Sequence, residues 1–227
     1  MSGKKGYFGK LPDRADFVVG NCPMGFLNLW EPFLMKGLGS SRQLLGSRWE
    51  ETYMTMPVWR FWLEPVDGSA PFTQAIGGAL MPSVDKVGRK FPLTIAVASS
   101  PSENDERPSD DWFDEVEAVL LGALEEDASL KDFQKAVSGL ADISGSGGAK
   151  DLADGKSLAA DAGTTDKISS LFWCRAGRQV FAFNCAGLPD ATAFRWLLLP
   201  ESFGAEEAGN KLVGKDHGRY HPEDHRT

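Results

Sequence analysis

Two apolar runs, residues 73–81 and 93–99, constrain this chain more than any other feature. Each has the length of a strand, carries β-branched residues and lacks the polar alternation of a half-exposed strand. They therefore read as neighbouring strands buried within a sheet, which other elements must cover. Residues 82–92 join them with Gly88, a proline at either end, and the charges Asp85, Lys86, Arg89 and Lys90. A short neutral turn would have served, so a charged connection between two buried strands needs a reason. Either an Asp–Arg pair fixes the shape of the loop itself, or Arg89 is presented to an acidic group or phosphate on a partner.

The remaining elements follow from periodicity and turn signals. Residues 7–11 read as a short strand stopped by Pro12. Phe26, Leu27, Trp30, Phe33, Leu34 and Leu38 recur at helical spacing and predict a helix over 24–38. Pro32 falls inside it and is expected to kink or divide it, at about 3 kcal/mol for a straight helix. A second short helix is expected over 43–55. Residues 58–63 form a strand with Trp59, Phe61 and Leu63 on one face and Arg60 and Trp62 on the other. Trp62 is then either covered by a helix or a surface anchor. Ser109 is placed to cap a helix over 110–126 with Trp112, Phe113, Val116, Val119, Leu120 and Ala123 as its apolar stripe. Phe133, Ala136, Val137 and Leu140 mark a shorter one. Residues 141–166 are Gly, Ser, Ala and Asp with almost no large apolar group, and read as a flexible loop. A hairpin follows, 169–174 with 179–184, then a helix over 190–199 and a loose polar tail over 204–227. Strands in blocks, with helices grouped between them, predict an α+β fold. The expectation is a single domain over 1–203, a largely antiparallel central sheet of about five to six strands flanked by helices.

Charge narrows the function classes. The 227 residues carry 24 basic and 32 acidic side chains, a net charge of −8. Residues 101–166 alone hold 17 acidic against 5 basic residues, leaving the rest of the chain positive. Nonspecific nucleic-acid binding needs a surplus of Lys and Arg and is disfavoured. No run of 18 apolar residues is present, so no transmembrane helix or membrane insertion is expected. The N-terminus lacks the apolar stretch of a signal peptide, which points to the cytoplasm. Cys22, Cys174 and Cys185 then read as reduced thiols and small buried hydrophobes.

Catalytic patterns are weak. There is no Gly-x-Ser-x-Gly elbow, and the glycine-rich stretch at 145–150 fits neither phosphate-loop nor dinucleotide spacing. His217, His221 and His225 stand four apart, but Gly218 and Pro222 break the helix that would align them as metal ligands. No metal, cofactor or enzymatic activity is expected. Charged clusters remain: Lys10 and Asp16 near Phe17, and Asp85 with Arg89 in the 82–92 connection.

Residues 6–12 (Gly-Tyr-Phe-Gly-Lys-Leu-Pro) followed by Asp16-Phe17-Val18 resemble the opening motif of the TagF family, also called ImpM. Pro23, Phe26, Trp30, Trp49, Tyr53, Pro57, Trp59, Arg60 and Phe61 continue the similarity. The segment from Pro82 to Leu93 is similar to the family's second signature almost throughout. The pattern departs at Ala15, where the family has Gly, and at Pro32, where it has an acidic residue. The resemblance implies a cytosolic accessory protein of type VI secretion that represses it post-translationally. It implies partners too: the forkhead-associated scaffold protein and, in some systems, an inner-membrane complex component. The family has no agreed catalytic residues, so Lys10, Asp16, Asp85, Arg89 and Trp62 stand as a candidate partner-binding set. The competing expectation is an anion- or nucleotide-responsive switch, with Arg89 and Lys10 gripping the ligand that controls scaffold binding.

Overall fold

A computed structural model describes residues 3–100, 107–143, 156–158, 167–177 and 179–202. Most of the 141–166 loop, the tail and its three histidines lie outside these residues. The chain runs β1 (Lys5–Lys10), β2 (Phe17–Gly20), α1 (Phe26–Leu45), α2 (Trp49–Met54), β3 (Trp59–Pro65), β4 (Ile76–Met81) and β5 (Leu93–Ala98). It continues with α3 (Asp110–Gly122), α4 (Leu130–Gly139), β6 (Lys156–Leu158), β7 (Ile168–Ala176), β8 (Gln179–Ala186) and α5 (Arg195–Leu198).

All strands join one sheet in the order β2-β1-β5-β4-β3-β7-β8-β6. Seven of them pair antiparallel, and β6 adds in parallel to β8. The fold is α+β with a largely antiparallel sheet, as the order of elements predicted, with eight strands rather than five to six. The extra strands are short: β2 has four residues and β6 three.

The two apolar runs explain the layers. Every residue of β4 and β5 is buried, so both sheet faces are covered. On one face α1, α2 and α5 pack Phe26, Trp30, Leu34, Tyr53 and Phe194 against Trp59, Phe61 and Phe172. Trp30 lies 4.4 Å from Phe61, ring centre to ring centre, at the middle of an aromatic cluster. On the other face α3 and α4 pack Trp112, Phe113, Val116 and Phe133 against Trp62, Ile95 and Trp173. A Cβ at Gly37 of α1 would stand 2.1 Å from the Phe194 ring, so glycine lets α5 seat against that helix.

Three predicted elements differ in detail. α1 passes through Pro32 as one helix of 20 residues. The expected helix over 43–55 is instead the end of α1, a 3-10 turn (Gly46–Arg48) and α2. The helix expected over 190–199 shortens to Arg195–Leu198, because Pro200 follows and Asp190 Oδ1 caps a preceding turn at the Ala193 N–H, 2.7 Å away.

Candidate functional site

Register brings the two charged loops together. β1 pairs with β5 so that Phe8 faces Thr94, which places the end of β1 beside the start of β5. The β1–β2 connection and the 82–92 connection therefore emerge side by side. Lys86 N–H donates to the Arg14 carbonyl at 2.8 Å, and the Ser83 hydroxyl donates to the Lys10 carbonyl at 2.8 Å.

Asp85 is the hub. Its carboxylate receives the Lys10 ammonium, the Arg89 Nε at 2.6 Å and the backbone N–H groups of Val87 (3.1 Å) and Arg89 (2.8 Å). Burial works against its charge, but Lys10, the Arg89 backbone and guanidinium, and Val87 outweigh it and hold the carboxyl well below the usual range. Gly88 completes the turn at φ +84°, a conformation that favours a residue without Cβ. From α2, the Tyr53 hydroxyl donates to the Ser83 carbonyl and accepts from the Ser83 N–H, both at 2.9 Å. Arg89 Nη2 crosses to the other loop and donates to the Ala15 carbonyl. The loop-shaping reading of Asp85 and Arg89 is thus what the structure shows.

The candidate residues separate by depth. Lys10 and Asp85 are 5% and 3% exposed and form the inner half. The outer half is Arg89 and Asp16, with side chains 57% and 99% exposed, 3.9 Å apart. Trp62 does not join them. At 3% exposure it lies in the α3–α4 core, and burial removes it as a surface anchor. Phe17 supplies the accessible aromatic instead: 47% exposed, its ring 4.8 Å from that of Phe91 and 4.7 Å from the Lys10 ammonium. Val87, 65% exposed, stands at the tip of the second loop. Sequence reasoning passed over Phe17 as an anchor; the signal was an aromatic directly after Asp16 at the first residue of a short edge strand.

A second charged network was also missed. Arg60 of β3 is 1% exposed, and its Nε meets Glu117 Oε1 at 2.6 Å while Nη2 meets Asp114. Asp110 lies 3.6 Å away and also faces Arg107 at 3.6 Å and Arg175 at 3.3 Å. Burial would lower the Arg60 pKa, but Glu117 and Asp114 keep it raised and the guanidinium charged. The sequence signal was the spacing of Asp110, Asp114 and Glu117, one acidic row on α3.

The three cysteines are free thiols. Burial pushes Cys22 up to about 11, and Cys174 and Cys185 up to about 12, so all stay protonated and poorly nucleophilic at neutral pH. Among the described residues no helix is long and apolar enough to cross a membrane.

Comparison with known proteins adds a family to this geometry. A comparison with curated proteins finds no match. The crystal structure of PA0076 from Pseudomonas aeruginosa PAO1 is similar, with a TM-score of 0.67 and 31% sequence identity over 86% of this chain and 93% of that one. The family profile described as "TagF N-terminal domain, Type VI secretion system-associated" matches residues 6–140, a stretch that holds both loops of the Asp85 hub. The chain belongs to the TagF family of proteins associated with type VI secretion.

Proposed function

We propose that this protein is a cytoplasmic, non-enzymatic repressor of type VI secretion that sequesters the forkhead-associated scaffold protein through the outer surface of the two loops. In some settings a component of the inner-membrane complex is the alternative partner. The observation that carries the reading is the composition of that surface. Phe17, Val87, Arg89 and Asp16 are exposed together on a base made rigid by the buried Lys10–Asp85 pair. An accessible aromatic beside a guanidinium, on a preorganised support, is the make-up of an interaction hot spot. Asp16 and Arg89 supply charge complementarity of either sign. An anion-operated switch draws less support, because Lys10 and Arg89 both already contact Asp85 and an incoming phosphate would compete with that carboxylate.

Calorimetric titration of the full chain with the scaffold from the same secretion cluster tests the reading. Wild type should bind at micromolar Kd or tighter. Asp16→Lys should weaken binding at least tenfold with little change in melting temperature, since its side chain is almost wholly exposed, and Phe17→Ser should do so with a modest fall, since its ring packs on Phe8 and Phe91. Arg89→Glu should weaken it too, with a lower melting temperature because it breaks the loop hub. Absence of scaffold binding by wild type sinks this assignment and turns the search to the inner-membrane component.

A further inference from the structure

The helix pair α3–α4 turns its inner side to the sheet and leaves a groove on its outer side. Ala118, Val119 and Gly122 from α3 line it, with Ala128 from the connection and Ala136 from α4, over a volume of about 330 Å³. Phe133, 4% exposed, floors it. The small side chains allow another backbone to come close, and the lining is almost wholly apolar.

The rim is acidic. Asp132 lines the groove from α4, and exposed Glu125, Glu126 and Asp127 stand in the connection at its closed end. Glu115 precedes Ala118 and Val119 by three and four residues, so the exposed Asp111 and Glu115 extend the same face of α3 at the open end. Asp110, Asp114 and Glu117 on the adjoining row are answered by Arg60, Arg107 and Arg175. Among the described residues no arginine forms an ion pair with Asp111, Glu115, Glu125, Glu126 or Asp127. Lys135 follows Asp132 by three residues and Lys131 follows Asp127 by four, so these two offset part of the rim, which keeps six acidic residues against them.

We infer that this groove docks an amphipathic helix of a protein partner, whose bulky aliphatic residue enters between Ala118 and Ala136 and whose flanking lysines or arginines meet the rim. An apolar groove between two helices is the receptor half of helix-in-groove recognition. The rim selects the charge: it repels acidic helices, phosphates and anionic lipid surfaces, and attracts a basic segment. The site uses none of Asp16, Phe17 or Arg89, so it stands or falls separately from the scaffold assignment.

The test uses fluorescein-labelled peptides of about five helical turns, with leucines along one face and lysines on its flanks, titrated with the full chain. A second peptide carries glutamate for every lysine. Gly122→Trp fills the groove, and a Cβ there meets nothing within 4 Å, so the helix tolerates it. Asp111→Lys with Glu115→Lys reverses the rim. Glu31→Lys with Glu51→Lys makes the same charge change on exposed positions of α1 and α2, across the sheet.

Micromolar binding of the basic peptide is expected, weakened at least tenfold by either groove variant and within twofold by the control, with no binding of the acidic peptide. Absence of binding, equal weakening by rim and control variants, or indifference to Gly122→Trp overturns the proposal. So does self-association of the chain in size-exclusion chromatography that Gly122→Trp abolishes, which would give the groove to a second copy.

Discussion

Asp85 carries a negative charge inside the protein, its side chain fully covered, because the loop that contains it supplies the compensation. Four donors from Lys10, Val87 and Arg89 converge on two oxygens, so the carboxylate, and not merely its hydrogen-bonding shape, organises the loop. The folded protein holds this carboxyl below its unfolded value of about 3.9. The unfolded chain therefore binds the proton more readily, and the contribution of Asp85 to stability is whole above about pH 4 and is lost as pH falls below it toward the folded value. Asp85→Asn has no such titration. It should be less stable than wild type at pH 7, where the buried Lys10 loses its counter-charge. The gap between the two urea midpoints should shrink between pH 5 and pH 3. A constant gap across that range would mean that Asp85 acts by shape alone.

Among the helices, α1 shows how a local rule yields to placement. A proline inside a helix removes one backbone hydrogen bond, here to the carbonyl of Asn28, and the sequence pattern predicted a kink or a division at Pro32, of which the division does not occur. Both residues lie on the exposed side of α1, opposite Trp30, Phe33 and Leu34, so water can satisfy the carbonyl while the apolar stripe stays in register. Burial of that stripe outweighs the local penalty. Pro32→Ala should restore the lost bond and stabilise the protein by about 1–3 kcal/mol in urea unfolding. No gain would show that the helix is already adapted to its proline. Strands β4 and β5 were legible for the opposite reason: their apolar runs are buried on both faces, so local pattern and tertiary position agree. In β2 they do not. Four residues at the sheet edge with only Val18 buried give no periodic signal, and its pairing with β1 is what makes it a strand.

Across the whole molecule, the chemistry of the candidate site was legible and its depth was not. The residue types at 10, 16, 85 and 89 announced an ion-paired loop surface, but which member faces solvent depends on the β1–β5 register, a pairing between segments some 90 residues apart. Trp62 illustrates the same limit. Alternation along β3 gave its face, while its burial depends on where α3 docks. That docking has an electrostatic guide. Arg60 neighbours Trp62 on the same face of β3, opposite Ala79 and Trp173 in the adjacent strands, and its guanidinium reaches the acidic row of α3. A buried guanidinium can be kept only where carboxylates answer it, and α3 presents Asp110, Asp114 and Glu117 in the one orientation that also turns Phe113 and Val116 inward. The pairing thus specifies the rotation of α3 about its axis as well as adding to its hold. Arg60→Ala should cost about 3 kcal/mol, leaving a void beneath α3 and Glu117 without its cation, while Asp110 and Asp114 keep Arg175. Arg60→Met, which restores most of the volume, should recover much of that loss, because Asp114 and Glu117 reach water and hydrate once released. Near-ultraviolet circular dichroism of the tryptophans packed between α3 and the sheet separates the two roles. If Arg60→Met regains stability with a native spectrum, packing alone orients α3; if it regains stability with a weakened aromatic signal, the ion network is what fixes the helix in one rotation.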